Sequence, residues 1–342
     1  MCRPDLSQGA RYGLYGPRSC EAHVSESILF QTPENPLPPG AEPGYFDAED
    51  GRRIRYALFT AAAEPKKGTV ILMSGRNESI EKYYETIGDL NARGFVVAMK
   101  DWRGQGGSAR LLRDPARGHV GSFRHYVRDL DRFLRTCVEP RCPGPFYIFA
   151  HSTGGLIALL AAPALAGRIR RMVLSAPLLA LQGFPVSMTT VRRISRLLRL
   201  AGLGRLYASG GPRRVQPFEG NKLTSDHLRY KRNTALVDAF PAIGLGGPTV
   251  AWVSRMCEAI DTVLSPDFMA RIRIPILFVA AGADEVVSAP LIERYARGLR
   301  AGSVVTIDGA RHEILQEADL YREQLLAAFD AFVPGSDEPN AA

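Results

Sequence analysis

Ser152 stands in the stretch FYIFAHSTGGLIAL (residues 146–159), between one apolar run and the next. An apolar run that ends in His-Ser-Thr and resumes after two glycines predicts a strand, a tight turn and a helix. At such a turn, usually written G-x-S-x-G, the Ser hydroxyl is presented at the sheet edge and can act as a nucleophile. The first position here is Ala150, a small residue that suits the same turn. In the alternative interpretation, Ser152 only caps the start of a helix.

A Ser hydroxyl is a weak nucleophile, so it needs a general base, and the base needs an orienting acid. Asp284 follows the apolar run PILFVAA, and His312 follows the apolar run SVVTID. Both therefore stand in loops after predicted strands, in the chain order Ser, Asp, His. We predict that Ser152, Asp284 and His312 are catalytic, with the neighbouring Glu285 as the rival acid. In the alternative, Asp284 caps a helix and His312 is a surface loop residue.

Acyl transfer also needs backbone N–H donors for the developing oxyanion. We expect one from Thr153, directly after the nucleophile, and one from Arg76 in the loop SGRNES (residues 74–79). The Arg76 guanidinium would then lie near the reacting ester, where it could bind a phosphate through two hydrogen bonds. Alternatively, Arg76 pairs with Glu78 or Glu81 and braces the loop.

The histidines outside this triad include two candidates for substrate contact. His151, beside the nucleophile, is predicted to line the pocket, and His227, in TSDHLRYKRN, could touch substrate. The predicted substrate-binding residues are therefore Arg76, His151 and His227. The histidines and the five scattered cysteines form no metal-ligand pattern, so no metal or cofactor is predicted.

Short apolar runs alternate with helix-like segments along most of the chain. Predicted strands cover residues 69–73, 95–100, 146–150, 171–176, 275–281 and 303–308, after a hairpin that turns at Asp50-Gly51. Predicted helices cover residues 80–93, 123–137, 156–164, 290–298 and 318–332. Apolar strands that alternate with helices predict an α/β fold, a parallel sheet with helices on both faces.

The domain organisation follows from where this alternation begins, breaks and ends. Residues 1–40 are Pro- and Gly-rich and are predicted to be a poorly ordered leader, and residues 334–342 a disordered tail. The core is predicted over residues 41–177 and 271–333. Residues 178–270 are basic, Gly/Pro-punctuated and without a clear strand, which predicts a helical cap inserted between two core strands.

Positive charge is concentrated in the cap. The chain carries a net charge of +8, and no Asp or Glu stands between Arg141 and Glu219. Residues 188–206 predict an amphipathic helix, with Arg192, Arg193, Arg196 and Arg199 on one side and apolar residues on the other. Either the apolar side packs on the core with the Arg side in solvent, or the helix contacts an anionic membrane surface. No nucleic-acid motif accompanies the charge, so nucleic acid is not an expected partner.

The predicted location is the cytoplasm, with peripheral contact at the inner membrane as an option. No apolar stretch approaches the roughly 20 residues of a membrane span, and the N-terminus lacks the apolar core of a secretory signal. Scattered cysteines are typical of a reducing compartment.

Five stretches carry a resemblance to a known family: SGRNESIEKYYE (74–85), GFVVAMKDWRGQGGSARLLRDPARGHVGSF (94–123), AHSTGG (150–155), NKLTSDHLRYKRN (221–233) and GARHEILQE (309–317). Over residues 43–332 the chain resembles the monoacylglycerol-lipase and lysophospholipase branch of the α/β-hydrolases, and most closely bacterial lysophospholipases of the L-two type. The resemblance implies an α/β-hydrolase fold, with a mostly parallel eight-stranded sheet and a lid after the sixth strand. It implies hydrolysis of the carboxylic ester of a single-chain lipid, with Ser152, Asp284 and His312 on the triad positions and Arg76 and Thr153 on the oxyanion positions.

Three other functions stay open from the sequence. The same triad could pass the acyl group to an alcohol or a second lipid, as an acyltransferase does. A non-catalytic member of the fold could keep the pocket to sense lipid. Proline iminopeptidases share the fold, but their caps usually carry acidic residues for a substrate amine, whereas this cap is basic.

Overall fold

The computed structural model describes residues 27–61, 66–183, 186–212 and 217–333. These residues form one eight-stranded sheet in the order β1-β2-β4-β3-β5-β6-β7-β8. The strands are β1 (Ala41–Asp47), β2 (Arg53–Phe59), β3 (Thr69–Met73), β4 (Val96–Lys100), β5 (Phe146–His151), β6 (Ile169–Ser175), β7 (Ile276–Ala281) and β8 (Gly302–Ile307). The β1–β2 and β2–β4 pairs are antiparallel, and the other neighbouring pairs are parallel. The predicted mostly parallel sheet and the opening hairpin are confirmed.

Helices cover both faces of this sheet. They are α1 (Tyr84–Ala92), α2 (Phe123–Phe133), α3 (Thr153–Leu165), α4 (Met188–Leu200), α5 (His227–Ala239), α6 (Val250–Leu264), α7 (Pro266–Met269), α8 (Ala289–Gly298) and α9 (Asp319–Phe332). Two apolar clusters fill the layers: in β3, Ile71 belongs to one cluster, whereas Val70 and Leu72 belong to the other. Successive strand residues point to opposite faces, so a sheet covered on both sides needs the continuous apolar runs seen in the sequence.

The parallel arrangement brings distant parts of the chain to one edge of the sheet. β3, β5, β7 and β8 run in the same direction, so their carboxyl ends lie together. The loops that follow these strands carry Arg76, Ser152, Asp284 and His312 respectively. Ligand sites in open α/β sheets form at this edge.

The described part of the predicted leader packs on the core. Leu29 is buried in one of the two apolar clusters. The Asn35 amide donates to the Glu81 backbone oxygen at 2.9 Å, and the Phe30 ring stacks on Phe240 at 4.5 Å. Residues 27–40 are therefore part of the folded body, which differs from the poorly ordered leader that the sequence predicts over residues 1–40. Residues 1–26 and the predicted tail lie outside the described residues.

The cap is also shorter than its predicted boundaries. α6 carries Trp252, Met256 and Ile260 into the same apolar cluster as α2 and α3. Buried apolar residues at this spacing place α6 against the core layer, so the segment that stands over the sheet edge is the chain between β6 and α6. Among the described residues, no helix is both long and apolar enough to cross a membrane.

α4 turns most of its apolar side outward, so the alternative in which this side packs on the core holds only at its start, where Met188 and Val191 are partly buried. Ile194, Leu197 and Leu200 are 52%, 66% and 67% exposed. On the opposite side, Arg192 pairs with Asp261 of α6, and Arg199 lies 3.4 Å from Glu258 of the same helix. The acidic groups of α6 draw these two arginines inward, which leaves the leucines in solvent.

Candidate active site

Ser152 occupies a strained turn between β5 and α3. Its φ of 51° and ψ of −114° lie where non-glycine residues are rarely found. A Cβ on Gly154 would come within 2.6 Å of the Met73 carbonyl oxygen, and one on Gly155 within 2.7 Å of Pro177. The two glycines therefore allow α3 to approach β3 and the loop after β6. The close packing holds the strained turn that presents the Ser152 hydroxyl.

Three side chains predicted to act together form one hydrogen-bonded chain. Ser152 Oγ lies 3.0 Å from His312 Nε2, and His312 Nδ1 lies 2.8 Å from Asp284 Oδ2. Asp284 Oδ1 accepts the backbone N–H groups of Val286 and Val287 at 2.7 and 2.9 Å, which fixes the carboxylate. A carboxylate only accepts, so Nδ1 carries the ring proton and Nε2 is free to accept from the Ser152 hydroxyl. The arrangement can therefore deprotonate Ser152.

Some of the backbone N–H groups beside Ser152 already have an acceptor, and others have none. The Gly75 N–H donates to the Glu78 carboxylate, and the Asn77 N–H donates to Gln105 Oε1 at 3.1 Å. The N–H groups of Arg76 and of Thr153, the first residue of α3, meet no acceptor within the described residues. Two unused donors next to a nucleophile can bind an oxyanion. They are the two donors predicted from the sequence.

A buried charged cluster supports the loops on either side of the site. The Lys82 ammonium donates to Glu78 at 2.8 Å and to Glu313 at 2.6 Å. It therefore joins the loop of residues 74–79 to the residue that follows His312. Burial would lower the pKa of Lys82, but the two carboxylates outweigh it and raise that pKa. No sequence motif indicates this cluster, although Lys82 and Glu313 lie within two of the stretches that carry the family resemblance.

His151 is buried beside the same cluster. Its ring lies 4.8 Å from the His312 ring, and it lines the cavity as predicted. Burial is the main cause that lowers the pKa of His151 to about 3, so this ring is neutral at neutral pH. Burial alone would raise the pKa of Glu78, but Lys82 and the other neighbours lower it to about 2. Ligand atoms of Glu78, His151 and Glu313 lie within 4.8 Å of one another, and both carboxylates are paired with the Lys82 ammonium.

A cavity of about 630 Å³ opens above Ser152. Its polar end is formed by the charged groups already described, with Arg76 and His312. Its walls are mostly apolar and come largely from the cap and α6: Leu178, Leu181, Val186, Val191, Ala208, Pro248, Trp252, Val253, Met256 and Val286. The cavity therefore suits a molecule with a polar group at the nucleophile and an apolar tail.

Two residues of the sequence prediction lie elsewhere. His227 is exposed at the start of α5, packs edge-on against Phe218 at 4.9 Å and does not line the cavity, so its predicted substrate contact is not supported. The side chains before α5 that are buried are Asn221 and Thr224, whereas His227 is exposed, and the sequence pattern does not distinguish them. Glu285, the rival acid, is exposed and lies 3.1 Å from Lys222.

The sheet, the strained serine turn and the cap define an α/β-hydrolase. The family model described as "Serine aminopeptidase, S33" matches residues 64–319, and the chain belongs to this α/β-hydrolase family. Lysophospholipase L2 of Escherichia coli K12 is 35% identical over 309 residues, which cover 86% of this chain and 88% of the relative. The human monoglyceride lipase is 24% identical over 238 residues, which cover 69% of this chain and 71% of that lipase.

The fold has solved counterparts. The monoacylglycerol lipase of Paleococcus ferrophilus superposes with a TM-score of 0.66 at 23% identity, over 82% of this chain and 99% of that one. The predicted branch of the α/β-hydrolases is confirmed by these similarities.

Proposed function

We propose that this protein hydrolyses the carboxylic ester of single-chain lipids, lysophospholipids or monoacylglycerols, through an acyl-enzyme on Ser152. The observation that carries the proposal is the Ser152–His312–Asp284 chain, with spacings of 3.0 and 2.8 Å, at the polar end of an apolar cavity. The names of the curated relatives, a lysophospholipase and a monoglyceride lipase, supply the substrate class.

The proposed reaction has two halves. Ser152 Oγ attacks the ester carbonyl carbon while His312 Nε2 takes its proton, and the oxyanion is bound by the N–H groups of Arg76 and Thr153. The intermediate collapses, His312 returns the proton to the departing alcohol, and the acyl group stays on Ser152. A water molecule then attacks the acyl carbonyl while His312 Nε2 takes its proton; the bond to Ser152 Oγ breaks, His312 returns that proton to Ser152 Oγ, and a fatty acid is released. Asp284 keeps the imidazole oriented and stabilises its positive charge in both halves.

Replacement of the nucleophile tests this proposal. Ser152→Ala should lower kcat at least about 10⁴-fold on every ester that the wild type cleaves, because only binding and the oxyanion donors remain. The panel contains lysophospholipids, monoacylglycerol, a p-nitrophenyl ester and an amino-acyl amide, with circular dichroism as the control for folding. Wild-type turnover in the variant would reject Ser152 as nucleophile. If the wild type cleaved the amino-acyl amide but none of the esters, the protein would be a peptidase.

We further propose peripheral contact with an anionic lipid surface through α4. Ile194, Leu197 and Leu200 form its outward apolar face, and Arg193 and Arg196 are exposed on the same helix. Exposed apolar groups interleaved with arginines are typical of helices that lie in a membrane interface. Val186, just before α4, is 47% exposed and also lines the cavity, so this surface is continuous with the cavity wall. A lipid could thus pass from the surface to Ser152 with its chain in apolar surroundings.

A further inference from the structure

Arg76 enters the cavity beside Ser152 without a carboxylate partner among the described residues. Its Nη1 donates to the backbone oxygen of Gly246 at 3.0 Å, and the guanidinium carbon lies 5.7 Å from the Trp252 ring centroid. Its Nε and Nη2 N–H groups meet no acceptor in the part of the chain that the structure describes. One edge of a planar donor fork is therefore unused in the cavity.

The two carboxylates nearest in sequence are committed to other groups. Glu78 accepts from Lys82 at 2.8 Å and from the Tyr83 hydroxyl at 2.7 Å. Arg55 donates from both of its terminal nitrogens to the Glu81 carboxylate, at 2.7 and 2.8 Å. The expected alternative, a brace from Arg76 to Glu78 or Glu81, is therefore absent among these residues.

The guanidinium of Arg76 forms no ion pair among the described residues. Lys82, the second Lys or Arg side chain among the described residues that line the cavity, is paired with Glu78 and Glu313. Burial lowers the pKa of Arg76 to about 10, so it still carries its charge at neutral pH. A partly buried cation without a carboxylate partner is less well stabilised than one in water, and an anionic ligand would supply the missing counter-charge.

We propose that Arg76 binds the phosphate of a lysophospholipid headgroup through its Nε and Nη2 edge and so selects phosphate-bearing lipids over uncharged monoacylglycerols. This edge of a guanidinium matches two oxygens of a phosphate with parallel hydrogen bonds. The backbone N–H of the same residue is an oxyanion donor, so a headgroup joined through glycerol to the reacting ester lies within reach. The inference rests on the proposed lipid-ester hydrolysis and names the substrate that it prefers.

The test compares 1-palmitoyl-glycerophosphocholine with 1-palmitoylglycerol, which carry the same acyl chain. Arg76→Gln replaces the guanidinium with an uncharged amide and removes the donor fork. The ratio of kcat/KM for the phosphate lipid to that for the monoacylglycerol should fall about 10- to 100-fold. Arg76→Lys, which keeps the charge but not the fork, should lower the ratio less. Asn77→Gly is the matched control: Asn77 has a φ of 63°, which glycine adopts without strain, and its Oδ1 accepts the Leu245 N–H at 2.9 Å, which ties the same loop to the same cap segment. It should leave the ratio unchanged.

Two other outcomes of the kcat/KM comparison would contradict the proposed role of Arg76. An equal loss on both lipids in Arg76→Gln would assign the side chain to loop bracing, and an unchanged ratio would remove it from headgroup recognition. Inorganic phosphate is added to a soluble-ester assay as a further arm. If it inhibits the wild type but not Arg76→Gln while the lipid ratio is unchanged, the site binds free phosphate and not a headgroup.

A binding arm separates this inference from the proposed function. In the Ser152→Ala background, adding Arg76→Gln should raise the Kd for the phosphate lipid about 10- to 100-fold, with a smaller change for the monoacylglycerol. If the wild type hydrolyses neither lipid, the proposed function fails, yet this Kd comparison still decides the role of Arg76. Equal Kd values with and without Arg76→Gln would overturn it.

Discussion

Asp284 and Glu285 are adjacent acids in very different surroundings. Asp284 is buried, holds His312 at 2.8 Å and accepts two backbone N–H groups. Glu285 points to solvent and lies 3.1 Å from Lys222, which is itself half exposed. An ion pair of this kind contributes little, whereas a buried carboxylate can fix the tautomer of a catalytic imidazole.

The contrast between these two residues can be measured. Asp284→Asn should lower kcat by about 10⁴-fold, because an amide can donate to Nδ1 and favours the wrong tautomer. Glu285→Gln, of equal size change, should leave kcat within about 2-fold, since it removes only a surface pair. Ester hydrolysis under saturating substrate gives both numbers. A greater loss at Glu285 would move the acid by one position.

At the scale of elements, α4 and α5 serve the cap differently. α4 meets α6 through Arg192 and Arg199 and turns its leucines outward. α5 instead faces the core with Arg229 and Arg232, which both bind Glu85 of α1. Both cap helices are thus held by ion pairs, α5 to α1 and α4 to α6, but only α4 turns an apolar face outward next to the cavity.

The outward face of α4 gives a prediction for vesicle binding. Replacing Ile194 and Leu197 together with Ser should weaken binding to both zwitterionic and anionic vesicles by about 10-fold or more, because the inserted apolar area is lost. Replacing Arg193 and Arg196 together with Gln should weaken binding to anionic vesicles only, by about 1 kcal/mol per residue, and the effect should fade in high salt.

Sedimentation with vesicles measures this binding, and hydrolysis of a soluble short-chain ester is the control for an intact site. Arg199→Gln is the matched variant within the same helix, since Arg199 faces α6, and its vesicle binding should stay near that of the wild type. Unchanged vesicle binding in the Ile194 and Leu197 variant would remove α4 from the lipid contact.

For the whole molecule, the decisive contacts join segments far apart in the chain. Arg229 donates to Glu85 at 2.5 Å, to Asp319 at 2.6 Å and to the Glu317 backbone oxygen at 3.0 Å. Glu317 in turn accepts from Ser225 at 2.6 Å. The cap is therefore attached to the segment that directly follows the His312 loop, so cap position and His312 position depend on the same contacts.

Removal of this attachment should destabilise the protein. Arg229→Met should lower the free energy of unfolding by about 1–3 kcal/mol, because Glu85 loses a partner while it stays partly buried. Arg297→Met is the control: Arg297 lies 3.3 Å from Glu293, is 72% exposed in its side chain, and should change stability by less than about 0.5 kcal/mol. Thermal unfolding followed by circular dichroism compares the two. Equal effects would mean that the Arg229 contacts behave as ordinary surface pairs.

The sequence by itself determined the sheet and the candidate triad. Apolar runs without alternation predicted strands buried on both faces, and each run lies within two residues of an observed strand. The order of Ser152, Asp284 and His312 after such strands was enough to expect their meeting, because parallel strands end at one edge. Local sequence is enough to predict these features because every strand of a parallel sheet follows the same geometry.

Only the tertiary structure decided the partners of charged side chains and the faces of the cap helices. The helical period of α4 gives two opposed faces, but Asp261 and Glu258 on α6 determine which one turns inward. Lys82 and Glu313 are 231 residues apart, and no local pattern joins them. Arg76 had two acids nearby in sequence, yet Lys82, Tyr83 and Arg55 occupy those acids. Ion pairs form between whichever groups the fold brings within a few ångströms, so spacing along the chain cannot assign them.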